Sequence, residues 1–307
     1  MLNLLLLVMI LLGLYIILSL SLNLIAGYTG LLSLCHAAFY GIGAYTTAIL
    51  SVHTGLSFWL LLPISGLVAA VSGVLIGLPT LRLKGDYLAI ATLGFAEIVR
   101  NVLTNWDSLT GGPRGISGIK PPVLFGYTLD PLKKVNYLIL VWFFVAITFF
   151  VLKRIMESRF GRALEAIRED EIAASSMGIN TTKYKVVSFS IGAFFAGIAG
   201  SIFAVFIPVV VPGGFDFMLS VTILCMVVLG GMGNHIGALI GASIIYIASM
   251  LPQILGFSSI ISPQFNQIIF GLILVIMMIY KPDGIVGRKK PDFEKLIGAS
   301  LKKEVSR

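Results

Sequence analysis

Apolar positions in this chain come in long uninterrupted blocks, separated by short polar stretches. Residues 2–22, 57–79, 86–104, 135–152, 186–208, 218–233, 236–256 and 264–280 are such blocks. A helix rises about 1.5 Å per residue, so about 20 apolar residues cross about 30 Å of hydrocarbon. The blocks lack the alternation of membrane β-strands, so the pattern predicts an all-α, polytopic transmembrane helical bundle. It forms one membrane domain over residues 1–307. The first block has no basic leader and no small-residue cleavage site, and reads as a retained span rather than a signal peptide.

Residues 23–50 break the pattern. They are apolar, yet dense in Gly, Ser, Thr and Tyr. Gly27, Gly30, Gly41 and Gly43 weaken a helix and let backbones approach. This predicts either a broken or re-entrant helix lining a path or a tightly packed span, and both can hold together. Three glycines within 230–233 likewise predict a short or discontinuous span over 218–233. The count is eight to ten spans and turns on residues 24–50. If they cross fully, nine spans place the N-terminus outside and the tail inside.

Residues 153–185 are the polar exception, with seven Lys/Arg and five Asp/Glu between two apolar blocks. Ser158 is placed to cap a helix and Gly178 to end it, and Asn180 to cap the next. Phe160, Ala163, Leu164, Ile167, Ala174 and Met177 recur at mostly helical spacing, which predicts one apolar face about five turns long. Such a face lies on lipid, docks into another protein's groove, or belongs to an ordinary solvated loop helix. The small residues Ala163, Ala166, Ala173 and Ala174 favour a close-packed partner.

Charge orients the bundle. Of 22 basic residues, 15 fall within 153–185 and 281–307. The positive-inside rule makes the loop and the basic tail 281–307 cytoplasmic, the tail lying against anionic lipid or nothing in particular. Arg82 and Lys84 form a further short cytoplasmic connection. The turn-rich segment 105–134 then lies outside, although it carries four basic residues. Glu97 and Arg100 share a helix face at i and i+3 within a span, as an internal ion pair, part of a polar path, or an interfacial snorkelling pair.

Composition agrees with this class: 57% of residues are hydrophobic, 12% are charged, and mean hydropathy is +0.99. The net charge of +8 comes without a base-reading motif, so nucleic acid is not expected as a partner. Cys35 and Cys225 lie in apolar blocks and read as packed thiols. No Gly-x4-Gly-Lys-Ser/Thr loop and no Gly-x-Ser-x-Gly elbow occurs. His36, His53 and His235 lack metal-ligand spacing. No catalytic residue and no metal site is predicted, and the chain is not read as an enzyme.

The stretch GRALEAIREDEIAASSMGIN (161–180) resembles the cytoplasmic loop of ABC importer permeases, and more narrowly the branched-chain amino-acid permease family of the LivM type. Residues 23–45, 85–119 and 220–242 resemble the same family. Ala173, Ala174 and Gly178 keep the importers' general Glu-Ala-Ala, three residues, Gly spacing. The Glu is displaced to Glu171, with Ile172 in its place, and Cys35 stands where a Gly is expected.

The resemblance implies a permease subunit carrying Leu, Ile and Val across the inner membrane by alternating access. Close variants of the machine would carry urea, short amides or another small solute. A different class, a stand-alone channel or secondary transporter, would not need a docking helix. The implied partners are a second homologous permease subunit, two ABC ATPase subunits and an extracytoplasmic solute-binding protein, with surrounding lipid. No cofactor is implied for this chain, because ATP would be bound by the partner ATPases. Arg162, Ala163, Ala166, Ile167, Glu171, Ala173, Ala174 and Gly178 would couple to an ATPase, with Arg162, Arg168, Glu169 and Glu171 pairing at the rim. For the path, the glycine-broken stretches nominate Tyr28, Thr29, Ser33, His36, Thr92, Glu97, Gly230, Gly231 and Gly233, where freed backbone groups can meet a zwitterion.

Overall fold

The computed structural model describes residues 2–81, 83, 85–124, 127–128, 134–254, 271 and 284–287. The expected span 264–280, the basic tail, the Arg82–Lys84 connection and the middle of segment 105–134 lie outside the described residues, apart from the positions just given.

The helices follow the apolar blocks closely. They are α1 (Leu2–Leu22), α2 (His36–Thr54), α3 (Phe58–Thr80), α4 (Asp86–Asn105), a single turn α5 (Asp107–Thr110), α6 (Lys134–Glu157), α7 (Arg159–Glu169), α8 (Glu171–Ser176), α9 (Thr181–Phe206), α10 (Phe217–Gly230) and α11 (His235–Ile254). Six segments among the described residues are long and apolar enough to cross a membrane: α1 with its extension to Tyr28, α3, α4, α6, α9 and the stretch Pro212–Gly230. With α2 and α11 these make an all-α bundle.

At its centre stand α1 and α9. Ile10, Ile16, Ile17 and Leu20 of α1 are fully buried, as are Phe189, Ala193, Ala196 and Ala199 of α9. Helix α9 packs on α2 and α3, and α1 on α6 and α11. In lipid no hydrophobic drive favours helix association, so close van der Waals packing must supply it. Small residues permit that closeness. A Cβ on Gly43 would run into the Gly197 backbone, and one on Gly200 into the Tyr40 carbonyl. Thr47 Oγ1 donates to Ser201 Oγ across the same seam at 2.8 Å.

Minor strands close the end away from α7 and α8. Ile116–Ser117 (β1) pairs antiparallel with Val209–Val210 (β4), in register Ile116↔Val210. Val123–Leu124 (β2) pairs with Tyr127–Thr128 (β3). The turn-rich segment therefore sits at the end of α4 and α9 opposite to the charged loop, as expected from alternation of spans.

The charged loop differs from its expected form. Residues 158–178 are two helices, not one of five turns. Ser158 caps α7 through Phe160 N at 3.1 Å. Asp170, in extended conformation, then breaks the chain and caps α8 through the amides of Ile172 and Ala173. The side chain that competes best for free amides sits mid-segment, and it starts a second helix there. Gly178 ends α8 in a left-handed turn (φ +84°), and Asn180 caps α9 through Lys183 N at 3.0 Å.

Candidate functional site

Asn23 begins the break in α1. Over Asn23–Tyr28 the helix widens into a π-turn, buried throughout. Gly30 (φ +75°) ends it, and residues 29–35 run without helical structure inside the bundle. Backbone groups freed in such a place must find partners. Leu31 N donates to Ile25 O at 3.1 Å, and Leu34 N to Thr92 Oγ1 at 3.1 Å. Thr29 Oγ1 bonds Leu24 O and lies 2.7 Å from Ser188 Oγ. Ala37 N, in the first turn of α2, donates to Ser220 Oγ at 3.0 Å. The helix is therefore broken over this stretch, and the break is tightly packed.

A second break faces the first. Helix α10 stops at Gly230, and α11 starts at His235. Asn23 Oδ1 accepts from Gly233 N at 2.9 Å, while Asn23 Nδ2 donates to Asn234 O at 3.2 Å. Gly27 must be glycine here, since a Cβ would collide with Asn23 Oδ1 and the Gly233 amide. Residues 284–287 return to this place: Ile285 N and Val286 N donate to Leu229 O and Gly230 O, and Asn234 Nδ2 to Gly287 O.

Helix α7 lies directly on the α1 break. Arg168 Nη1 donates to the Gly27 carbonyl. Beside it Lys185 Nζ meets Glu171 Oε1 at 2.6 Å, with the Lys185 side chain only 6% exposed. Thr29, Gly30, Ile167, Arg168, Glu171 and Lys185 line a cavity of about 270 Å³. A larger cavity of about 510 Å³ lies between α1, α6, α7 and the start of α11, lined in part by Tyr28, Lys153, Glu157, Gly233 and His235.

The apolar face read from the loop is mostly turned inward. Ala163, Leu164, Ile167 and Ala174 are buried against the chain's own bundle, and Phe160 stacks on Tyr184. Met177 instead is 83% exposed, and Ile172, absent from that face, is 71% exposed. Of the nominated coupling residues, Arg162, Ala166, Ala173 and Gly178 are exposed, Ala163, Ile167 and Ala174 are buried, and Glu171 is paired.

The nominated path residues divide. Tyr28 and Gly233 meet at the larger cavity, and Thr29 lines the smaller one. Ser33, His36 and Thr92 are fully buried within the packed break, His36 Nε2 lying 2.7 Å from Ser21 Oγ. Gly230 packs against Gly237, with Gly231 beside Gly284. Glu97 stands apart from these on α4, ion-paired to Arg100 at 2.8 Å and part-exposed. Sequence reasoning missed Asn23, Lys153 and Lys185 as site residues. A lone Asn inside an apolar run was the available signal for the first. Cys35 and Cys225 are free and buried. Among the described residues no three His, Cys, Asp or Glu side chains gather as a metal site would require.

A family model described as "Branched-chain amino acid transport system / permease component" matches residues 4–278. The chain is 41% identical to the high-affinity branched-chain amino acid transport system permease protein LivM of Escherichia coli strain K12, covering 93% of this chain and 71% of that protein. Identity to the LivM protein of Salmonella typhimurium is also 41%, over 91% of this chain and 69% of that protein. The LivH permease of Escherichia coli strain K12 is 27% identical over 92% of this chain and 93% of its own length. No solved structure matches.

Proposed function

The chain belongs to the branched-chain amino-acid transport permease family, and on that premise we propose that it is the membrane-spanning permease subunit of an ATP-driven importer carrying Leu, Ile and Val. It works with a second permease subunit, as the likeness to both LivM and LivH proteins supports. ATP is bound and hydrolysed by partner ATPase subunits, and an extracytoplasmic binding protein delivers the amino acid. In this reading the loop of α7 and α8 and the basic tail are cytoplasmic, in the inner membrane.

One observation carries the mechanism: the loop has two working faces. Its inner face grips the break in α1 through Arg168 and Ile167. Its outer face presents Ile172 and Met177, with Arg162, Ala166, Ala173 and Gly178 beside them. An ATPase seated on the outer face pulls α8 and α7 as it closes. The pull reaches Gly27 through Arg168 and the facing break through Asn23, which bonds Gly233 and Asn234. Rocking of the two permease halves then exposes the path to alternate sides. The part-exposed Glu97–Arg100 pair of α4 faces the second permease, the path or the membrane interface, since a charge facing lipid at mid-bilayer would cost about 2.5–3.5 kcal/mol on insertion scales.

The test is uptake of labelled leucine into proteoliposomes holding this chain, its partner permease, both ATPases and the binding protein. Uptake that requires ATP and the binding protein is expected. Uptake of urea in place of leucine would keep the machine and change the cargo. Transport by this chain alone without ATP would overturn the importer reading.

A further inference from the structure

The 510 Å³ cavity is within the roughly 300–1,000 Å³ of small-molecule sites. It opens on the same end of the bundle as α7, and Tyr28, Gly233 and Asn234 of the two breaks form part of its wall. His235 sits in its wall, only 9% exposed, and among the described residues neither ring nitrogen has a hydrogen-bond partner. A neutral imidazole has one donor and one acceptor nitrogen, and a buried one left unsatisfied is costly. The ring is held between Tyr28, 5.0 Å away between centroids, and Phe149 at 6.1 Å.

The rest of the wall carries charge of both signs and an apolar floor. Lys153 and Glu157 come from the last turns of α6, half exposed and paired with each other at 3.9 Å, so a ligand's charges would exchange with that pair, and Glu165 comes from α7. Met156, Ile236 and Val286 supply aliphatic surface. An ammonium, a carboxylate and a branched aliphatic chain on one small molecule match this set: the carboxylate to Lys153, the ammonium to Glu157 and Glu165, the side chain to Met156, Ile236 and Val286.

We propose that this cavity is a cytoplasm-side binding site for the carried amino acid, at which accumulated product slows its own import. It rests on the importer reading above. A molecule seated here ties α6, α7, the α1 break and the start of α11 together. Those are the elements that must shift when the loop is pulled, so a ligand bound more tightly to one arrangement opposes the change.

The experiment is equilibrium binding of labelled L-leucine to the full permease–ATPase assembly in nanodiscs without the binding protein, with uptake by vesicles preloaded with leucine. Saturable binding is expected, and Lys153→Met and Glu157→Gln each weaken it about tenfold or more, as loss of one charge-assisted contact implies. Lys153→Arg retains it. Leucinamide and 4-methylvalerate, each lacking one charge, fail to compete. Preloaded leucine slows initial ATP-driven uptake in the unaltered chain and not in Lys153→Met. No saturable binding, or binding unchanged in both variants, overturns the proposal. ATP-driven uptake into empty vesicles reports separately on the importer reading.

Discussion

The guanidinium of Arg168 donates to the main-chain carbonyl of Gly27. One residue sits on a short polar helix and the other in the middle of a break in a central span, 141 positions earlier in the chain. The contact joins the loop proposed to dock an ATPase to the part of the bundle that has two broken helices back to back.

Removing that donor should uncouple the two. Arg168→Ala is expected to lower ATP-driven uptake about tenfold or more while ATP hydrolysis by the assembly continues, since a hydrogen bond to a charged group contributes about 1.5–3 kcal/mol. Arg168→Lys should recover only part, because an ammonium lacks the planar fork. The check is uptake and phosphate release measured on the same proteoliposomes. Equal loss of both would point to a folding defect.

Docking should depend on Ile172 and Met177, which are exposed. Ile172→Asp and Met177→Asp place a charge in the centre of the proposed ATPase contact and should weaken assembly about tenfold or more, on the scale of interface hot spots. The thermal midpoint of the isolated chain should not move, since neither side chain packs inside it. Co-purification with the ATPases reads the first, and a melting curve in detergent the second.

The Glu171–Lys185 pair should behave as a buried ion pair at its lysine end. Glu171→Gln leaves that ammonium uncompensated and should cost about 3 kcal/mol of local stability. Adding Lys185→Met should restore most of it. Amide hydrogen exchange across Glu171–Ser176 is the readout. A double variant no better than the single one would remove the pair from this account.

Glycine substitutions should split in sign. At Gly43 an added side chain meets the Gly197 backbone, so Gly43→Val should destabilise by about 1–3 kcal/mol through overpacking. Gly94, exposed on α4, has nothing within 4 Å of its Cβ position. There Gly94→Ala should stabilise by about 0.5–1 kcal/mol through helix propensity. Thermal midpoints of the two variants test the contrast.

Membrane class, helix positions and caps were legible in the sequence because they depend on neighbours. The apolar blocks became α3, α4, α6 and α9 within a few residues. Ser158, Asn180 and Gly178 act where their local chemistry said they would. The break after Asn23 was legible from glycine density. The bend at Asp170 was not, since the apolar periodicity of 160–177 runs straight across it.

What only the tertiary structure decided is which partner each polar or apolar group takes. The face of Ala163, Leu164 and Ile167 has the same pattern whether it docks outward or inward, and packing on the α1 break turned it inward. Ile172 and Met177 were left outside by the second helix that Asp170 starts. Asn23 reaches Gly233 from 210 positions away, and Arg168 reaches Gly27. Periodicity and capping are short-range and act along the chain. Contacts between buried backbone groups are set by how helices cross, and a crossing exists only once the bundle has assembled.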